Sequence, residues 1–185
     1  MSLFEAAIRL LLLTKAKKIN ESCREFLKGR VLDFGAGRCY IAEELEKNNL
    51  DVTCLDVNDL SRTKKKAVVY SGKKIPFRAN EFDTALIAYV LHHCDEPVKA
   101  LEEVIRVTKG NIVIFEDTKP SAFVNMMDFF SNRLRGVETP FKFMTEKEWA
   151  GVFRKLDLKI VAIRHNVERE WFYPLVEHTM IVVRK

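Results

Sequence analysis

The chain has 185 residues and carries 31 Lys and Arg against 26 Asp and Glu, a formal net charge of +5. With 48% hydrophobic and 31% charged residues its composition is globular, which excludes a disordered tail, a collagen-like fibre and a coiled-coil rod. This length fits one domain, residues 1–185, that needs neither a disulfide nor a structural metal to fold. The positive charge is small and scattered, which argues against nucleic acid as a partner.

The cysteines lie far apart and form no C-x-x-C pair, at Cys23, Cys39, Cys54 and Cys94. This spacing argues against a zinc ribbon and a redox-active pair, and isolated cysteines in apolar runs fit a reducing cytoplasm. The apolar run at 10–13 is far shorter than the roughly 20 residues that span a bilayer. We therefore expect a cytoplasmic protein without a membrane span. The sequence does not determine its oligomeric state.

Helix-like and strand-like segments alternate along the chain. The predicted helices are 3–27, 39–48, 97–108 and 145–155, and the predicted strands are 30–34, 50–55, 67–70, 82–91, 111–115, 158–164 and 177–183. Residues 1–28 would form an N-terminal helical cap, and Thr145 with Glu148 is a capping box that predicts where the last helix begins. The alternation predicts a doubly wound, Rossmann-like α/β sheet of about seven mostly parallel strands, with an antiparallel C-terminal strand.

The clearest functional signal is the segment VLDFGAGRCY at 31–40. Gly35 and Gly37 directly follow a predicted strand, where glycines allow a tight turn and a close approach of a ligand. A dinucleotide fingerprint needs a third glycine where this chain has Tyr40, which disfavours NAD and FAD. Asp56 lies 21 positions after Gly35, at the end of the next strand, where a carboxylate can accept from both ribose hydroxyls. An ordinary turn and a capping aspartate remain the alternatives.

Several segments, in the correct order, resemble class I S-adenosylmethionine (SAM) dependent methyltransferases. VLDFGAGRCYIAEEL is similar to the first motif of that family, and CLDVND is similar to its second. The stretch KKIPFRANEFDTALIAYVLHHCDEPVKALEEVIRVTKGNIVIFED resembles the fourth- and fifth-strand region of the small-molecule type 11 branch, which includes ubiquinone and menaquinone biosynthesis methyltransferases. MTEKEWAGVFRKLDLKIV resembles its late helix and sixth strand. The resemblance implies a methyltransferase with SAM as cofactor and S-adenosylhomocysteine (SAH) as product.

Position by position, the resemblance also implies a SAM site. The residues it assigns are Asp33, Phe34, Gly35, Ala36 and Gly37 for the methionine part, Asp56 for the ribose, Val57, Ser71 and Gly72 for the adenine, and Ala88 and Tyr89 beneath the sulfonium. Cys39 stands where the family usually has a last glycine, which is expected to narrow the carboxylate end of the site. Ser71 replaces the usual acid, so adenine selectivity would rest on backbone groups. Only 19 positions separate Asp56 from Ile75, so we expect the helix after the second strand to be shortened or lost.

Methyl transfer from a sulfonium depends mainly on positioning and water exclusion, and it needs a general base only where the acceptor keeps its proton. His92 and His93 follow the fourth strand and are candidate bases; the alternative is that they cap or pack the loop before Pro97. Glu116 and Asp117 end the fifth strand. They either position the substrate or are solvated strand-end carboxylates.

The segment 120–143 is irregular and rich in Phe and Met, among them Met126, Phe129 and Phe130. Its place after the fifth strand predicts a lid that, with the N-terminal helix, roofs a mostly apolar substrate pocket. The alternative is a helix over 122–134 that buries these residues as ordinary core. The first hypothesis for function is therefore methyl transfer to a small apolar or aromatic acceptor.

Two other functions stay open. A SAM-fold binding or regulatory subunit without turnover would account for Cys39, Ser71 and the compressed segment after Asp56. An RNA or protein methyltransferase is suggested by the positive charge alone. Methylation of bases is disfavoured, because 88–93 lacks the two prolines of amino-methylating enzymes and no Pro-Cys pair is present.

Overall fold

A computed structural model describes residues 3–118, 143–167 and 178–185. The helices in these ranges are α1 (Leu3–Cys23), α2 (Tyr40–Glu46), α3 (Pro97–Val107) and α4 (Glu146–Lys155). The strands are β1 (Arg30–Phe34), β2 (Asp51–Asp56), β3 (Val68–Val69), β4 (Thr84–Ala88), β5 (Asn111–Asp117), β6 (Lys159–Arg164) and β7 (His178–Arg184). Short 3-10 turns cover Arg24–Phe26 and Leu91–His93. None of the helices described has the length and apolar character needed to cross a membrane.

The strands form one sheet in the order β3-β2-β1-β4-β5-β7-β6. The first five pair in parallel, and β7 runs antiparallel to both β5 and β6. The predicted doubly wound α/β class and the antiparallel C-terminal strand are confirmed. The chain reverses its direction of winding between β1 and β4, and sheets of this kind bind ligands beyond the carboxyl ends of the strands at such a switch point.

An apolar layer covers each face of the sheet. Side chains alternate along a strand, so Val31 and Phe115 pack with α1 and α2, whereas Leu32 and Ile114 pack with α3 and α4. We call these the α1/α2 face and the α3/α4 face. The assignment matters because neighbouring residues at the end of a strand then belong to different faces.

Helix α1 packs on the sheet and on α2. Ala16, Ile19 and Cys23 are buried. The side-chain amide of Asn20 donates to the carbonyl of Glu44 at 3.3 Å, and its oxygen accepts from the amide of Asn48 at 2.7 Å. These contacts fix α1 beside α2 on one face of the sheet.

The structure differs from the sequence-based boundaries at a few ends. Residues 57–67 contain no helix, which confirms the expected loss after β2. Strand β4 ends at Ala88 rather than at 91, because Tyr89 has a left-handed backbone with φ of 58° that turns the chain. Strand β5 continues to Asp117, because β7 pairs with it along its full length. Helix α4 begins at Glu146, directly after the N-cap residue Thr145, and the predicted capping box of Thr145 with Glu148 is confirmed.

Candidate functional site

The turn between β1 and α2 brings two glycines to the carboxyl edge of the sheet. Gly35 and Gly37 have φ values of 73° and 50°, a left-handed backbone that favours glycine. The N–H groups of Gly35 and Ala36 donate to the carbonyl of Leu55 at 2.8 and 3.1 Å, which ties the turn to β2. A Cβ atom on Gly35 would lie 2.4 Å from Val90, whereas one on Gly37 would meet no atom of the described residues within 4 Å. Gly37 therefore borders an open cradle at the switch point.

Asp56 ends β2 beside this cradle. Its Oδ2 accepts from the backbone N–H of Gly37 at 2.8 Å, and its Oδ1 accepts from that of Asn58 at 3.3 Å. The two oxygens of a carboxylate offer about four acceptor positions, so capacity remains for the hydroxyls of a ligand. Val57 is 49% exposed, and a Cβ on Gly72 would lie 3.4 Å from its side chain. The structure thus brings Asp56, Val57 and Gly72 together at one edge.

Asp33 lies just before the glycine turn, on the α1/α2 face of β1. Its side chain is buried, and its Oδ2 accepts no hydrogen bond from the residues that the structure describes. Burial, and then the charge of Asp56, raise the pKa of the Asp33 carboxyl to about 7, while Lys65 acts in the opposite direction. The Asp33 carboxyl is buried beside the open cradle, and one of its oxygens can still accept a hydrogen bond. Such a group suits the ammonium group of a ligand.

Cys39 is the N-cap residue directly before α2 and has a left-handed backbone, with φ of 61°. Its side chain is fully buried in the α1/α2 layer together with Cys54. The hydrogen bond with Cys39, and then burial, raise the pKa of the Cys54 thiol, so this thiol stays protonated. The Cys39 side chain packs in the core against the turn, with its Sγ 3.9 Å from the carbonyl oxygen of Gly37, and the narrowing expected from the sequence stays a prediction.

The other residues assigned to SAM lie along the same edge with different exposures. The side chains of Phe34 and Ala36 are buried in the two apolar layers, so only their backbone groups face the turn. Ser71 follows β3 and is exposed beside Gly72. The candidate substrate residues Met126, Phe129 and Phe130 lie outside the described residues, as does the segment 120–142.

Strand β4 ends with Ala88 at the switch point, and Tyr89 directly follows it. The left-handed backbone of Tyr89 is uncommon for a bulky residue, and such conformations cluster at functional sites. The ammonium nitrogen of Lys15 in α1 lies 3.6 Å from the centroid of the Tyr89 ring. The ring of His178 lies edge-on to the same ring, with centroids 5.0 Å apart. Side chains from α1, from the residue after β4 and from β7 therefore meet at this edge.

Two buried carboxylates end β5, each paired with a histidine. Glu116 and Asp117 are both buried, so the solvated alternative for them is wrong. His92 Nδ1 lies 2.5 Å from Glu116 Oε2, and His178 Nδ1 lies 2.6 Å from Asp117 Oδ1. Because successive residues face opposite sides, the Glu116 pair lies on the α3/α4 face and the Asp117 pair on the α1/α2 face. Sequence reasoning missed His178, whose only signal was the register of β5 and β7.

The Glu116 pair fixes the loop between β4 and α3. The second oxygen of Glu116 accepts from two successive backbone N–H groups of that loop, at 3.2 and 2.8 Å. The His92 ring stacks on Phe143, with centroids 4.7 Å apart, and lies 4.0 Å from the ring of His93. Glu116 thus accepts three internal bonds, and this geometry suits the packing alternative for His92 better than direct contact with an acceptor.

An open groove of about 930 Å³ lies at the opposite, amino-terminal edge of the sheet, lined by Arg30 and residues 74–81. None of the residues that the sequence assigns to SAM lines it. Since doubly wound sheets bind ligands at the carboxyl edge, we place the functional site at the Gly37 cradle rather than in this groove.

Comparison with known proteins identifies the class of domain that contains this turn. Residues 32–115, which run from β1 to β5, match a family model described as "Methyltransferase domain". This region is a methyltransferase domain of the type 11 branch. The resemblance to SAM-dependent methyltransferases is thereby confirmed, and with it SAM as the cofactor of the class.

The curated relatives of this methyltransferase domain align with the chain over only part of their own length. A demethylmenaquinone methyltransferase of Renibacterium salmoninarum is 35% identical over 101 residues, 50% of this chain and 43% of its own. The ubiquinone/menaquinone biosynthesis C-methyltransferase UbiE of Rickettsia felis is 32% identical over 128 residues, 57% of this chain and 52% of its own. The chain thus spans about half the length of these curated relatives. A SAM-dependent methyltransferase structure from Archaeoglobus fulgidus shares the fold, with a TM-score of 0.73 at 15% identity over 94% of both chains.

Proposed function

We propose that this methyltransferase domain transfers a methyl group from SAM to a small acceptor that carries an apolar or aromatic ring. The observation that carries the proposal is the Asp33 carboxyl, which is buried with one oxygen left to bond. It lies two residues before the turn that forms the open cradle at Gly37. The methionine part of SAM carries an ammonium group and a carboxylate. The Asp33 carboxyl would bind the ammonium group, and the backbone turn beside it would face the carboxylate.

The residues at the edge fit the remaining parts of SAM. Asp56 retains acceptor capacity for the two ribose hydroxyls while it holds the N–H of Gly37. The exposed side chain of Val57 offers an apolar surface for the adenine, beside Ser71 and Gly72. The carboxyl end of β4 would then lie under the sulfonium, at Tyr89.

When bound, SAM supplies an electrophilic methyl group on a sulfonium. The part of the protein is to hold the donor and the acceptor in line and to exclude water. The glycine turn is tied to β2 and Tyr89 to β5 by backbone hydrogen bonds, so the two sides of the site are fixed relative to one another. Such a preformed edge places the methyl group with little reorganisation.

The class of acceptor is inferred from the relatives. Both curated relatives are named for methylation in quinone biosynthesis, and one is named a C-methyltransferase. An aromatic acceptor also fits the ring of Tyr89, which lies half-buried at the switch point. We infer a quinol-like or phenolic ring as the acceptor.

Calorimetry with SAH tests the cofactor site. Asp56→Ala removes two charge-assisted hydrogen bonds to the ribose, each worth roughly 1.5–3 kcal/mol, and should weaken SAH binding at least about tenfold. Asp51→Ala is the matched control, because Asp51 is exposed at the opposite end of the same strand, and it should bind SAH as the unmodified chain does. Thermal unfolding of both variants separates binding from folding. Unchanged SAH affinity in a folded Asp56→Ala protein would contradict the assignment.

A further inference from the structure

The two histidine–carboxylate pairs at the end of β5 differ in their access to the site. The side chains of His92 and Glu116 are 4% and 3% exposed, whereas those of His178 and Asp117 are 14% and 9% exposed. Both oxygens of Glu116 are occupied by the loop and by His92. Among the described residues, the second pair is therefore the more accessible of the two to a small molecule.

The position of His178 in the sheet places it on the side of β4 opposite to the glycine turn and Asp56. Asp56 and the glycine turn lie on β2 and after β1, to one side of β4. His178 and Asp117 lie on β7 and β5, to the other side. Neighbouring strands are about 4.8 Å apart and β7 lies two strands from β4. His178, where β7 begins, therefore lies about 10 Å across the sheet from the end of β4. A ring-sized acceptor next to the sulfonium would lie within reach of His178.

In the part of the chain that the structure describes, the charged and titratable groups that face His178 lie on the α1/α2 face and come from β5, from the residue after β4 and from α1. They are Asp117 of β5, bonded to its Nδ1, the Tyr89 ring in edge contact, and Lys15 of α1 above that ring. With Asp117 Oδ1 accepting from Nδ1–H, the lone pair of Nε2 remains to accept a proton. The carboxylate also stabilises the imidazolium that forms.

We propose that His178 is the base that takes the proton from the methyl acceptor, with Asp117 as its positioning residue. The proposal rests on the proposed function, since it assumes an acceptor with a ring hydroxyl. His178 is then a catalytic residue that touches the acceptor, and Tyr89 forms one wall of the same site.

The chemistry balances for a hydroquinone ring methylated on carbon. The hydroxyl proton passes to His178 Nε2, and the oxygen electron pair is delocalised onto the neighbouring ring carbon. That carbon bonds to the methyl group while the electron pair of the S–C bond stays on sulfur, which gives SAH. The hydrogen on the methylated carbon then leaves as a proton and the oxygen regains one. Each turnover releases one proton, which His178 passes to solvent.

Steady-state kinetics with a defined probe test the proposal. The probe is 2-prenyl-1,4-naphthoquinol, kept reduced without oxygen, with SAM as donor. His178→Gln should lower kcat by about 10²–10⁴-fold at pH 7 with little change in KM, and the remaining rate should rise with pH as hydroxide ionises the probe. Asp117→Asn should lower kcat by a smaller factor, because it favours the wrong tautomer. A His178→Gln protein with kcat within about threefold of the unmodified chain, and the same pH profile, overturns the proposal.

His165→Gln is the matched control, because His165 is exposed and pairs with Glu146 at 3.7 Å, away from β5. It should leave kcat and the pH profile unchanged. SAH affinity is measured on every variant and should not move in either histidine variant. A chain that does not bind SAH overturns the proposed function, whereas intact SAH binding with undiminished turnover in His178→Gln overturns only the base.

NMR of the imidazole signals gives a readout that does not depend on turnover. The signals of His178 are assigned by their loss in His178→Gln. Addition of the probe to the SAH-loaded protein should shift them and leave those of His165 in place. Absence of any shift at a saturating concentration of the probe overturns the placement of the acceptor at His178.

Discussion

At the scale of single residues, the unusual feature is a carboxyl group placed where it is hard to ionise. Asp33 is buried on β1, and burial together with Asp56 raises its pKa to about 7 from an ordinary value of 3.8. Burying the charged form of such a group costs free energy unless a partner compensates for it, so without a partner the group takes up a proton more readily. The ammonium group of SAM is a partner of the required sign.

Asp33 should make the ligand-free protein less stable as the pH rises. The folded pKa is raised, so between about pH 4 and 7 the folded state binds more protons than the unfolded state, and stability falls with rising pH across that window. At pH 8 the free energy of unfolding of Asp33→Asn should therefore exceed that of the unmodified chain by up to about 4 kcal/mol, and the variant should unfold at a higher temperature. This difference in stability should disappear near pH 4, and thermal unfolding of both proteins between pH 4 and pH 8 measures it. Asp51→Asn, on the exposed end of β2, should show no such difference.

The same variant should lose SAH affinity although it gains stability. The ionised carboxylate binds the ammonium group, so SAH affinity of the unmodified chain should fall as the pH drops below about 7. In Asp33→Asn the affinity should be lower at pH 8 and nearly independent of pH. An Asp33→Asn protein that binds SAH as tightly as the unmodified chain would contradict the role of Asp33.

At the scale of elements, the two glycines of the turn between β1 and α2 have different roles, one in packing and one at the proposed ligand site. Gly35 is needed for packing, because a Cβ there would lie 2.4 Å from Val90, whereas Gly37 borders open space. The cost of a left-handed backbone is shared by both, since each has a positive φ. The two positions therefore predict different consequences of the same substitution.

Gly37→Ala should remain folded, with a loss of about 1–2 kcal/mol from its left-handed backbone, and should bind SAH at least about tenfold more weakly. Gly35→Ala should lose more stability, because steric overlap in a packed site adds about 1–3 kcal/mol. Gly151→Ala is the control, since Gly151 lies in α4 with no described atom within 4 Å of an added Cβ, and it should gain about 0.5–1 kcal/mol. Denaturant unfolding and calorimetry give both quantities. If Gly37→Ala kept full affinity, the cradle would not be the ligand site.

The elements that the sequence predicted well are those with local signals. The glycine turn, the position of Asp56 and the capping box at Thr145 each depend on residues close together in the chain. The pairing of Asp117 with His178 depends on the register of two strands whose paired residues are 61 positions apart, and no local pattern encodes it. The left-handed backbone of Tyr89 was missed for a related reason, since an aromatic residue gives no signal for such a conformation.

At the scale of the whole molecule, strand order decides what meets at the edge. The order β3-β2-β1-β4-β5-β7-β6 puts the glycine turn and Asp56 on one side of β4 and the Asp117–His178 pair on the other. A donor and an acceptor can then approach each other over the end of β4. The burial of Glu116 and Asp117 follows from the same topology, because β7 extends far enough to pair with both of them.

The most direct test of the central claim is transfer of a deuterated methyl group, followed by mass spectrometry. The chain is incubated with methyl-deuterated SAM and a cell extract that contains both small molecules and reduced quinones. We predict a small-molecule product that carries one trideuteromethyl group, with formation of SAH, and its loss in Asp56→Ala but not in Asp51→Ala. Tight SAM binding with no labelled small molecule in any extract would contradict methyl transfer and support a binding subunit. Label found only in RNA or protein would contradict the small-molecule acceptor.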